Sequence, residues 1–311
     1  MKIAVMGSGG VGGYFGGLLA RAGEDVTFIA RGAHLEAISS NGLRVVSDLS
    51  GEFVVTRPAT DDAQEAGFQD LILYAVKMYH NAEAISFIQP MVGPETVILT
   101  LQNGLDNGDL LADAFGRDRV MVGMCALQGR VREPGVVEQL GQVGRVVFGE
   151  MGQGITPRGE ALLKLFEKGG WNVELSDNAM GAIWRKFIYL AGTAGINAIT
   201  QAPYGEMRNI PETRELISRS YQGIIDVANA LKAPIGDGVL EWAMNSLDEF
   251  PAEGMASLAK DFRDGNRVEL DGITGTAVRL GKQTGVPTPI NSTIYSLLKP
   301  AALRIEKALG G

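Results

Sequence analysis

The chain has 311 residues, of which 45% are hydrophobic and 21% charged, a globular balance with material for one large domain or two ordinary ones. A formal net charge of -8 argues against the broad basic footprint of a general nucleic-acid binder, while leaving room for a local basic pocket. With one cysteine, Cys125, and two histidines, His34 and His80, no intrachain disulfide can form and a Cys/His zinc site is not expected.

Glycine or charge breaks every apolar stretch short of the ~18 residues that a membrane span needs. Glycines also interrupt the first apolar run where a signal peptide would continue. A cytoplasmic, soluble protein that binds neither membrane nor nucleic acid is expected.

"KIAVMG" opens the chain as a short apolar strand. Residues 11–22 predict a helix of small residues, and "EDVTFIAR" a second strand. "GLRVVSD…GEFVV" predicts a hairpin around Gly51. "DLILYAVK" and "TVILTLQNG" are nearly continuous apolar runs, as in parallel strands covered on both faces, with a helix near 81–90 between them. "RVMVGMCALQGRV", "GVVEQLG" and "RVVFGE" predict three strands closing this half. The alternation predicts a doubly wound α/β domain over 1–172. Helical periodicity then takes over, in 178–200, 211–232, 237–248, 254–264 and 268–284, with loops at "APYGE", "KAPIGDG" and "GVPTP". An all-helical domain over 173–311 is expected.

The first strand runs directly into Gly7-x-Gly9-x-x-Gly12 and the first helix. In that context the glycines have distinct tasks. Gly7 permits the tight turn, Gly9 lets the backbone approach a pyrophosphate at the helix N-terminus, and Gly12 allows close helix–sheet packing. The loop Gly7, Ser8, Gly9, Gly10, Val11 and Gly12 is therefore read as a dinucleotide cradle. An NAD site usually ends its second strand with a carboxylate for the ribose 2′-hydroxyl. Here the strand ends in Arg31, whose guanidinium suits a 2′-phosphate, so NADPH/NADP is the expected cofactor. Lys77 ends "LILYAVK" at the edge where such sheets bind ligands; it either adds positive charge beside cofactor or substrate, or is an ordinary surface lysine. Asn103, in "LQNG", either orients a nicotinamide or an intermediate, or simply forms an Asn-Gly turn.

A reductase needs a proton donor for the developing alkoxide. Lys186 is the candidate. On a helical wheel it shares one side with Ile183, Phe187, Leu190 and Ala194, where an ammonium either snorkels or serves a buried reaction. Glu269 borders the apolar stripe of Leu270, Ile273, Ala277 and Leu280, with Asp271 turned about 200° away. It is read as a first-turn acid or as an acceptor for a substrate hydroxyl. Ser257 precedes it on "MASLAKDF".

Together "GSGGVG", "ARG", "VK", "QNG", "GVVEQLG", "WRK" and "VELDGITG…GVPTP" resemble, in order and spacing, the ketopantoate reductase family over nearly the full chain. The resemblance implies a Rossmann-type N-terminal domain, an all-α C-terminal domain, and an active site in the cleft between them. It implies NADPH-dependent reduction of a 2-oxo acid, notably 2-dehydropantoate to pantoate in pantothenate biosynthesis, and a homodimer. By position, Lys186 matches the family's general acid and Glu269 the carboxylate that bonds a substrate hydroxyl. Ser257 matches the residue near the substrate carboxylate, Asn103 and Lys77 residues near nicotinamide and substrate, and Arg31 the 2′-phosphate contact. The chain departs from the pantoate-forming members at Leu190, Ala194 and Gly254, where they carry asparagines. A site lacking such amides discriminates less for a hydroxylated substrate, so a more apolar 2-oxo acid is the alternative. A non-catalytic NADPH-binding sensor is a further alternative, against which the retention of Lys186 and Glu269 speaks.

Overall fold

The apolar runs of the first half lie side by side in one ten-stranded sheet among the residues that the computed structural model describes, 1–152 and 154–310. In chain order they form β1 (Lys2–Met6), α1 (Gly10–Arg21), β2 (Asp25–Ile29), α2 (Gly32–Asn41), β3 (Leu43–Ser47), β4 (Gly51–Val55), β5 (Ala59–Thr60) and α3 (Ala63–Ala66). There follow β6 (Gln69–Tyr74), a 3-10 turn (Met78–His80), α4 (Asn81–Ile88), β7 (Val92–Thr100), α5 (Asn107–Phe115), β8 (Val120–Glu133), β9 (Val136–Glu150), α6 (Pro157–Lys168) and β10 (Asn172–Leu175). The order β5-β2-β1-β6-β7-β8 is parallel throughout and reverses between β1 and β6. This is the doubly wound arrangement expected, with its ligand crevice at the carboxyl ends beside the reversal.

The hairpin around Gly51 forms as expected, pairing Leu43 with Val55 and Ser47 with Gly51. The two strands expected in "GVVEQLG" and "RVVFGE" are instead one strand, β9. Its antiparallel partner β8 runs alongside without a break, and the register jumps from Leu127↔Gly144 to Gln128↔Leu140. The extra residues leave the ladder as a bulge and both strands continue. The first residues of β9, Val136 to Gln139, also pair with β3. Residues 172–175, on either side of the expected domain boundary, belong to the sheet, because β10 pairs with β9 from Asn172↔Arg145 to Leu175↔Phe148.

α1 is rich in glycine because strands press on it from two sides. A Cβ at Gly16 would lie 2.5 Å from Val5 and one at Gly12 2.9 Å from it. One at Gly13 would lie 2.7 Å from Val137, and one at Gly17 2.9 Å from Val45. The i, i+4 spacing within each pair makes two bare stripes, one on β1 and one on β9 and β3. Aromatic rings fill the core beyond: Phe166 stacks on Trp171 at 4.2 Å, and Phe15 lies 4.4 Å from Trp171. Each such buried ring contributes roughly 1.5–3 kcal/mol.

The chain divides into two compact units, Met1–Gln102 with Asp106–Met180, and Asn103–Leu105 with Gly181–Gly311. The helices of the second half are α7 (Ala179–Thr200), α8 (Tyr204–Asn209), α9 (Pro211–Ala230), α10 (Val239–Glu249), α11 (Ser257–Asp264), α12 (Thr276–Thr284) and α13 (Pro289–Ala308). Several details differ from the sequence expectation: α13 lies beyond the last helix expected, and α11 begins at Ser257 and not at 254. The "APYGE" loop already starts α8 at Tyr204. The helix expected over 268–284 begins only at Asp271, as a π-helical turn through Gly275 that leads into α12. α7 is packed closely by its neighbours: glycine at 192 makes room for Tyr221 of α9, and glycine at 195 for Ile294 of α13. Among the described residues no helix is long and apolar enough to cross a membrane.

Candidate functional site

The glycine loop joins β1 to α1 at the carboxyl edge of the sheet. Gly7 has φ +96°, a left-handed conformation that favours glycine, and a Cβ there would lie 2.9 Å from Val76. Gly9 caps α1 with extended backbone, and a Cβ there would meet nothing within 4 Å. The loop is thus open at the residue where a pyrophosphate would approach the first N–H groups of the helix. Gly10 leans on the backbone of Gly129 in β8. Val11 packs on the core. Ser8 is buried, and its hydroxyl donates to the Ile29 carbonyl at 3.0 Å; its side chain anchors the loop to β2 and presents no hydroxyl to a ligand.

His34, considered in the sequence only as a metal ligand, supports this loop. The Gly135 N–H donates to His34 Nδ1 at 3.0 Å, so the ring proton sits on Nε2, which donates to the Ser8 carbonyl at 2.8 Å. A neutral imidazole therefore braces the glycine loop against the β8–β9 turn. Its position on α2 gave no sequence signal, since both partners are backbone atoms of distant segments.

Arg31 stands two residues beyond the end of β2, at the N-cap of α2. It is exposed, and its Nη1 contacts Glu83 Oε1 on α4 at 2.5 Å. Glu83 Oε2 lies 3.7 Å from His80 Nδ1. Lys77 does not close a strand: β6 ends at Tyr74, and Lys77 is the exposed N-cap of the 3-10 turn. A polar network braces this edge. Gln102 Nε2 donates to the Val76 carbonyl at 2.8 Å and to Asn81 Oδ1 at 2.7 Å, and Asn81 Nδ2 donates to Asn107 Oδ1 at 2.8 Å. It fixes the exits of β6 and β7.

Asn103–Leu105 groups with the helical unit. Lys186 Nζ donates to Asn103 Oδ1 at 2.7 Å. Of the residues on the lysine's face, Phe187 and Ala194 are buried, while Ile183, Lys186 and Leu190 are half-buried. The ammonium thus sits where the buried stripe opens, held by a neutral oxygen.

Ser257 is exposed at the first position of α11. Its neighbour Ala256 donates its N–H to Asn197 Oδ1 at 2.7 Å, and Asn197 Nδ2 donates to the Ala202 carbonyl at 2.5 Å. Asn197 is fully buried on α7. Eleven residues at 100° each return it to within about 20° of Lys186 on the helical wheel. That arithmetic was the available signal.

Glu269 is buried at 7% exposure. It precedes the π turn and is not in a first helical turn; its carbonyl accepts from the Ile273 N–H at 3.1 Å. Asp271 bonds instead to Tyr295 Oη at 2.7 Å and to Lys299 Nζ at 2.7 and 2.8 Å, both on α13. Burial pushes the Asp271 carboxyl up, but the bonds from Lys299 and Tyr295 outweigh it and hold it below the usual range. The π turn that follows Glu269 is thereby clamped. At Gly254 the backbone lies against Tyr204: its carbonyl accepts the Tyr204 N–H at 2.9 Å, and a Cβ would lie 3.1 Å from the ring and 2.9 Å from the Pro251 carbonyl.

Residues 3–153 match the family described as "Ketopantoate reductase PanE/ApbA", and residues 178–302 its C-terminal counterpart, "Ketopantoate reductase PanE/ApbA C terminal". The chain is 30% identical to the 2-dehydropantoate 2-reductase of Pyrococcus horikoshii, covering 100% of this chain and 99% of that one. It is 28% identical to the uncharacterized oxidoreductase YkpB of Bacillus subtilis, over 96% and 98% of the two chains. The crystal structure of 2-dehydropantoate 2-reductase from Geobacter metallireducens superposes with a TM-score of 0.90 at 33% identity, covering 97% of this chain and 100% of that one. With family matches in both halves and a full-length relative at this identity, the chain belongs to the ketopantoate reductase family of oxidoreductases acting on CH–OH groups.

Proposed function

We propose that this enzyme reduces 2-dehydropantoate to pantoate with NADPH, Lys186 acting as the general acid. The bond between Lys186 and Asn103 carries this reading: a half-buried ammonium held at 2.7 Å by an uncharged amide oxygen. The amide oxygen fixes where the ammonium would deliver its proton. NADPH supplies the hydride. Gly9, open on its outer side, and the N-terminus of α1 suit a pyrophosphate. Arg31 suits a 2′-phosphate, and Lys77 adds positive charge at the same edge. Ser257 serves the substrate carboxylate, and Glu269 accepts from the substrate's hydroxyl.

A second reading is favoured by three positions. Leu190 is half-buried on the lysine's face, Ala194 is fully buried, and Gly254 has no space for a side chain. An amide-poor pocket suits a 2-oxo acid with an apolar chain. Steady-state rates on 2-dehydropantoate and on branched 2-oxo acids, each with NADPH and NADH, separate the two; turnover of a branched acid without turnover of 2-dehydropantoate overturns the first. The role of Lys186 is tested with Lys186→Ala. It is expected to bind NADPH normally and to lose about 10²–10⁴-fold in kcat. A loss below tenfold would remove the lysine from the chemistry.

A further inference from the structure

We propose that Glu83 sets the balance between NADPH and NADH by competing with the 2′-phosphate for Arg31; this rests on the reading of Arg31 just given. The guanidinium intended for the phosphate is already paired, Nη1 to Glu83 Oε1 at 2.5 Å. A phosphate must displace that carboxylate, and the displaced charge then stays close to a second anion. A ribose without the phosphate requires neither step. Glu83 therefore penalises NADPH and leaves NADH almost untouched.

The exchange is accessible. The two side chains are 54% and 60% exposed, so water takes up both partners and the pair is weak. Glu83 also has somewhere to go. It lies in the first turn of α4, where the helix N-terminus favours a carboxylate, and its other oxygen is 3.7 Å from His80. Released from Arg31, it keeps the favourable helix N-terminus. Glu83 thus acts as a built-in competitor that moderates cofactor preference without occupying the ribose position itself.

The test is the Kd for NADPH and for NADH, by fluorescence titration without substrate, in wild type, Glu83→Gln, Glu83→Lys and Arg31→Ala. Glu83→Gln is expected to tighten NADPH about two- to fivefold, the range of an exposed ion pair, with NADH changed by less than about 1.5-fold. Glu83→Lys is expected to tighten NADPH further. If Arg31→Ala weakens NADPH selectively while neither Glu83 variant moves the NADPH/NADH ratio, Glu83 has no such role and the reading of Arg31 stands. If Arg31→Ala leaves the ratio unchanged, the reading of Arg31 fails, and the competition with it.

Discussion

Replacing Asn197 with alanine should loosen the start of α11 and weaken substrate binding together. Two bonds vanish, one from the Ala256 N–H at 2.7 Å and one to the Ala202 carbonyl at 2.5 Å. Ala256 is 5% exposed, so its orphaned N–H finds little water and costs about 1–3 kcal/mol. Ala202 is partly exposed, and its carbonyl recovers much of its bond from solvent. The space left by a fully buried amide adds about 1 kcal/mol. The expected loss is about 2–4 kcal/mol, read as a lower urea midpoint. Because Ser257 follows Ala256, KM for the 2-oxo acid should rise by more than kcat falls. Asn197→Asp keeps an acceptor for the Ala256 N–H but sets a carboxylate against the Ala202 carbonyl. It should stay destabilised while its KM returns towards wild type. An Asn197→Ala protein within about 0.5 kcal/mol of wild type, with unchanged KM, would refute the reasoning.

Three further predictions concern the lysine's face and the end of β9. Leu190→Asn returns an amide to a half-buried site one turn from Lys186; it should favour 2-dehydropantoate over its analogue without the hydroxyl by about two- to tenfold in kcat/KM, one net hydrogen bond. Ala194→Asn, at a fully buried position, should instead destabilise by overpacking, about 1–3 kcal/mol, which urea unfolding will show. The Glu150 carboxyl is held below its ordinary value of 4.5, first by the Arg158 hydrogen bond, against burial and with help from Thr156. A lowered folded value means stability that is full above the unfolded value and lost as pH falls through the folded one. Glu150→Gln should thus be less stable than wild type by about 1–2 kcal/mol at pH 7, with the gap closing below pH ~4.5. A gap constant with pH would exclude this linkage.

Much of this was legible in the chain because it is local. Gly7, Gly9 and Gly12 announce their turn by spacing, and the strands by their apolar runs. What escaped depends on segments far apart. β9 reads as two strands until β8 is laid beside it, when the jump to Gln128↔Leu140 turns the break into a bulge. Glu269 reads as helical until Tyr295 and Lys299 are seen to clamp the π turn at Asp271. Arg31 reads as an open guanidinium until α4 brings Glu83 against it. Asn197 was within reach of periodicity, but its partners, Ala202 and Ala256, come from the chain's path after α7.

Gly10 and Gly129 face each other backbone to backbone, and a Cβ at Gly129 would lie 2.8 Å from the Gly10 carbonyl. Because the nearest atoms to a Cβ on either are the main chain of the other, substituting both together gives no relief. The two positions therefore cannot drift in compensation, as a large–small pair in a core can. A fault in nucleotide binding can then originate in the β8–β9 hairpin, far from the fingerprint by which such sites are recognised. Engineering that grafts only the glycine fingerprint into another sheet would leave behind half of what shapes it.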